Sequence, residues 1–83
     1  MISIKNFNTL PFDKKCDFIT VFADYLAHRA DDGHKYYLYH LNGYYIEVIY
    51  IPSHKRVAQI KAFNSPKGLT PYLSDVNIDA LCL

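Results

Sequence analysis

The stretch HKYYLYHLNGYYIEVIYI, residues 34–51, decides how this chain is read. It carries six of the eight tyrosines, interleaved with Leu, Ile and Val and almost no charge. At its centre stands Asn42-Gly43, the dipeptide favoured in two-residue type I′ hairpin turns because both positions take positive φ. The stretch therefore reads as two antiparallel strands, about Lys35–Leu41 and Tyr44–Ile51. A two-residue turn fixes the register, since a one-residue slip would turn every side chain to the other face. One face then pairs Leu41 with Tyr44, Tyr39 with Ile46, Tyr37 with Val48 and Lys35 with Tyr50. The other pairs His40 with Tyr45, Leu38 with Glu47, Tyr36 with Ile49 and His34 with Ile51.

Downstream, Pro52-Ser53-His54-Lys55 reads as a turn and Arg56–Phe63 as a third strand. A tight turn around Ser53-His54 would place Val57, Gln59, Lys61 and Phe63 on the first face, with Arg56, Ala58, Ile60 and Ala62 on the second. After the loop Asn64–Gly68, Thr70 is expected to cap a short helical segment through Tyr72 and Leu73. An apolar tail of Val76, Ile78, Ala80, Leu81 and Leu83 is expected to pack back on the body.

Upstream, Ser3 can cap a short turn holding Ile4 and Phe7. Thr9 reads as the N-cap of a long helix, about Leu10–Ala30, with Pro11 in its first turn. At about 100° per residue, Phe12, Cys16, Ile19, Phe22, Ala23, Leu26 and Ala30 share one face. Asp13, Asp17, Asp24 and Asp31 share the opposite one, with Phe18, Val21 and Tyr25 on the shoulder between them. Asp31-Asp32-Gly33 would end the helix, with Gly33 at positive φ. The expected fold is α+β in the order α-β-β-β-α. One long amphipathic helix packs on a three-stranded antiparallel meander, and a short C-terminal helical segment completes it. The small residues Ala58 and Ala62 point to the helix lying on the second face.

Length and composition bound the rest. Eighty-three residues suffice for one small globular domain, 1–83, without linkers or repeats. A formal charge of +1 gives little electrostatic attraction to nucleic acid or membrane surfaces. No apolar run approaches the roughly 20 residues of a membrane span, and the N-terminus lacks the pattern of a signal peptide. Cys16 and Cys82 form no C-x-x-C pair and read as two buried thiols of a cytoplasmic protein.

One helix covers one face of such a sheet. The other, with Tyr37, Tyr39, Tyr44, Ile46, Val48, Tyr50 and Phe63, would exceed the few hundred Å² of apolar surface that monomers usually expose. Tyrosine suits an interface, because its ring buries area while its hydroxyl stays wet. The expectation is a homodimer through this face or through an edge strand. The aspartate stripe could receive a basic protein partner, as in immunity-type proteins, although a solvated face is the commoner meaning and Lys14 and Lys15 dilute it. The same tyrosines beside Lys35, Lys55 and Lys61 could stack single-stranded bases, but the near-neutral charge argues against it.

No motif discloses catalysis. HRADDGH (28–34) lacks the spacing of a histidine metal site, the three glycines stand apart, and no nucleophile elbow is present. No cofactor or metal is expected. Glu47, the only glutamate, falls between Leu38 and Ile60, so a partner is needed there, and His40 is a same-face neighbour. A structural ion pair or a bond to a tyrosine hydroxyl across an interface is the favoured role, with a Glu47/His40 acid–base pair as a third possibility.

The motifs F-N-x-L-P (Phe7–Pro11), L-Y-x-L-x-G-Y-Y-I-E-V (Leu38–Val48), A-F-N-S (Ala62–Ser65) and L-T-P-Y-L (Leu69–Leu73) resemble a family of short bacterial proteins to which no activity is attached. The resemblance implies a bacterial cytosolic protein and brings no catalytic residue or cofactor.

Overall fold

A computed structural model describes residues 2–73. The chain is α+β, built on one four-stranded antiparallel sheet in the order β1-β2-β3-β4. Two helices, α1 (Ile4–Asn8) and α2 (Phe12–Phe22), precede β1 (Asp24–Asp31), β2 (His34–Leu41), β3 (Tyr44–Ile51) and β4 (Arg56–Phe63). A 3₁₀ turn, Pro66–Leu69, leads into α3 (Thr70–Leu73). The apolar residues Val76 to Leu83, with Cys82, lie outside the described residues.

The long helix expected over Leu10–Ala30 is instead one helix and one strand. α2 stops at Phe22, and Ala23 turns extended at φ −88° and ψ 150°. Asp24–Asp31 then pairs antiparallel with β2, with Asp31 opposite His34 and Arg29 opposite Tyr36. Asp32 and Gly33 both take positive φ, 50° and 78°, matching Asn42 and Gly43 at 51° and 81°. Asp-Gly is thus a second type I′ hairpin turn rather than a helix end. Leu26 and Ala30 also fit a helical spacing, which is why periodicity over so short a run misleads. The strand gains a ladder with β2, which would otherwise have been an edge.

The helix start differs as well. Ser3 does cap α1, its hydroxyl accepting the Asn6 N–H at 3.2 Å. Thr9, however, closes α1 at its C-terminus, donating its hydroxyl to the Asn6 carbonyl at 2.8 Å, and Pro11 stands at the N-cap of α2.

The β2–β3 hairpin runs in the register set by Asn42-Gly43, from Leu41 opposite Tyr44 to Lys35 opposite Tyr50. β4 starts in the expected register, with Arg56 opposite Ile51 and Val57 opposite Tyr50. A β-bulge then absorbs Ala58, so Gln59 faces Ile49, Ile60 faces Val48 and Ala62 faces Ile46. The extra residue exchanges the faces of everything beyond it. Ile60 and Ala62 join the Ile46 face, while Lys61 and Phe63 join the Glu47 face.

That exchange decides where the helices sit. α1 and α2 cover the face carrying Leu41, Tyr44, Ile46, Ile60 and Ala62, which with Phe7 form the buried core. Ile4, Leu10, Cys16, Phe18, Ile19 and Ala23 pack on it. Phe7 is fully buried, a contribution of about 2 kcal/mol from its ring alone. Phe12 and Phe22, expected on the inner helix face, are half exposed, and Phe18 replaces them inside.

Candidate interaction surface

The two edges of the sheet are treated differently by the chain. At the β4 edge, Asn8 acts as a substitute strand. Its Nδ2 donates to the Ala62 carbonyl at 3.1 Å, and its Oδ1 accepts the Ala62 N–H at 2.8 Å. Lys15 Nζ donates to the Ile60 carbonyl at 3.3 Å. Unpaired backbone groups at an edge invite another strand, and here both groups of Ala62 and the Ile60 carbonyl are already satisfied. At the β1 edge, no side chain among the described residues hydrogen-bonds the backbone, and the strand is exposed along most of its length.

Apolar side chains gather beside the open edge. Val21 is 69% exposed, Phe22 50%, Tyr25 52% and Leu26 49%, all within the short passage from α2 into β1. A bulge between Tyr25 and Ala27 turns the strand at this point. Next to it runs a chain of rings. Tyr25 meets Tyr39 edge-on at 5.8 Å and His28 at 6.4 Å, and His28 meets Tyr37 at 6.2 Å. The Tyr25 hydroxyl and His28 Nδ1 are 2.6 Å apart. Lys35 borders the same shallow groove.

The seven residues expected to form an exposed interface do not do so together. Tyr44 and Ile46 are buried, and Tyr39 and Val48 pack against the core under α1 and α2. Tyr44 donates its hydroxyl to the Ile2 carbonyl at 2.8 Å. Burial pushes the Tyr44 phenol above its ordinary range, and burial followed by the neighbouring Tyr25 and Tyr37 does the same for Tyr39. Tyr37 and Tyr50 are half-buried. Phe63 lies on the other face because of the Ala58 bulge. The expected acidic stripe also dissolves, since Asp13 and Asp17 stay on α2 while Asp24 and Asp31 bracket β1.

On the opposite face, Glu47 is buried at 8% exposure and accepts a hydrogen bond from the Tyr72 hydroxyl at 2.8 Å. Arg29 reaches the same carboxylate oxygen at 3.9 Å and sits over the Tyr36 ring, 3.8 Å from its centroid. The Tyr72 phenol is pushed well above its usual range by burial and by its bond to Glu47. His40, expected as the partner of Glu47, meets the Tyr45 ring edge-on at 5.6 Å instead. Arg29 was hidden from the sequence because residues 24–30 read as helix. Taking Asp32-Gly33 as a hairpin turn would have set Arg29 opposite Tyr36, one pair from Glu47.

Among the described residues no cluster of His, Cys, Asp and Glu could hold a metal ion. No helix among them is long and apolar enough to cross a membrane. Comparison with protein-family models, curated proteins and solved structures gives no match, so the functional reading rests on the geometry.

Proposed function

We propose that this protein is a small non-catalytic interaction module that pairs with a second copy of itself through the β1 edge. The observation that carries the reading is the asymmetry of the edges: Asn8 and Lys15 bond the β4 edge at Ala62 and Ile60, and among the described residues no side chain bonds the backbone of β1. Strand addition supplies main-chain hydrogen bonds, and the flanking Val21, Phe22, Tyr25 and Leu26 supply apolar area. The assembly is a symmetric dimer with one continuous sheet. Glu47 bonds Tyr72 rather than His40, which favours a structural role for it over acid–base work.

Light scattering tests this directly. The unaltered chain is expected at twice its 9.6 kDa mass, and Val21→Lys with Leu26→Lys at the mass of a folded monomer. A monomeric unaltered chain would sink the proposal.

A second reading draws on the rings Tyr25, His28 and Tyr37 beside Lys35, which form a stacking platform for single-stranded nucleic acid. Binding of a thymidine oligonucleotide that weakens steeply with salt and is lost in Tyr25→Ala would support it.

A further inference from the structure

We infer that the cleft between β4 and the Pro66–Leu69 turn is a binding site for a phosphate group. The cleft, of about 370 Å³, lies on the Glu47 face of the sheet, away from the core helices. Arg29, Lys61 and Lys67 line it against a single acid, Glu47, leaving two net positive charges. Glu47 is already engaged by the Tyr72 hydroxyl. Among the described residues, neither Lys61 nor Lys67 has a carboxylate within ion-pair distance, and Arg29–Glu47 is the one such pair.

Arg29 is the prepared element. Its guanidinium is held between the rings of Tyr36 and Tyr72, at 3.8 and 5.2 Å from their centroids. Its approach to Glu47 at 3.9 Å is too long for a hydrogen bond, and its Nε is buried with no partner. A planar guanidinium beside two flexible ammonium groups suits a doubly charged tetrahedral anion better than a carboxylate.

The wall opposite is apolar. The Phe63 ring lies so close to Gly68 that a Cβ added there would meet it at 2.3 Å. The turn docks flat on the ring, and an aromatic or apolar group attached to the phosphate would rest beside it. Arg29 comes from β1, but it reaches the Glu47 face with its side chain, whereas strand pairing uses the backbone edge.

Titration of the ¹⁵N-labelled full chain with inorganic phosphate and with phenyl phosphate, at constant ionic strength set with chloride, tests the site. Saturable shifts are expected at the amides of Ser65, Lys67 and Gly68, with little change at Lys5 and Lys14. Lys61→Ala with Lys67→Ala, both exposed and outside the core, should weaken binding about tenfold while the rest of the spectrum is kept. Tighter binding of phenyl phosphate supports a phosphorylated aromatic ligand resting on Phe63, and equal binding supports the phosphate group alone. Shifts that do not saturate, that are as large at Lys14, or that survive the double substitution overturn the proposal.

Discussion

Glu47, Tyr72 and Arg29 tie α3 to the sheet through one buried polar contact. Replacing Tyr72 by Phe keeps the ring but leaves the carboxylate without its donor, at a cost of about 1–2 kcal/mol in denaturant unfolding. The Tyr72 phenol has a folded pKa above the ordinary value of 10.0, so the fold holds its proton more tightly than the unfolded chain does. Its contribution is therefore fully present below about pH 10 and is lost as pH rises toward the folded value. Unfolding measured from neutral to strongly alkaline pH should show this loss, reduced in Tyr72→Phe. A remainder is expected from Tyr39 and Tyr44, whose pKa values are also raised. At this scale the sequence was half legible. A lone glutamate among apolar strand residues had to find a partner, but naming it required the position of Arg29, which pattern alone could not supply.

Hairpins fared better than their surroundings. Asn42-Gly43 determined the whole β2–β3 ladder, because a two-residue turn leaves no freedom of register. Asp32-Gly33 carries the same signal, yet Leu26 and Ala30 continue the apolar spacing of α2 and disguise the strand. The Ala58 bulge has no sequence mark of its own, since a small residue fits an ordinary strand position equally well. Its effect reached far, transferring Ile60 and Ala62 to the helix side and Phe63 away from it. Asn8 belongs to this scale as well. Its two hydrogen bonds to Ala62 replace a missing strand, so Asn8→Ala should cost about 1–2 kcal/mol and speed hydrogen exchange at the Ala62 amide. Unchanged exchange there would mean that the β4 edge is closed by something other than Asn8. Gly68→Ala forces the Pro66–Leu69 turn off the Phe63 ring and should destabilise by about 1–3 kcal/mol, read from thermal unfolding.

For the molecule as a whole, the sequence pointed to more apolar surface than one helix could cover. α1 and α2 together cover most of the tyrosine-bearing face, and what stays outside is displaced to the passage from α2 into β1. That displacement was not legible, because it depends on where α2 stops. The proposed dimer joins two copies through the β1 edge. Hydrogen exchange of the β1 amides, followed as the protein is diluted, tests it most directly. Protection along residues 24–31 should fall on dilution, while the Ala62 amide, bonded within its own chain, keeps its rate. Exchange in β1 that is fast and independent of concentration would rule out pairing through this edge.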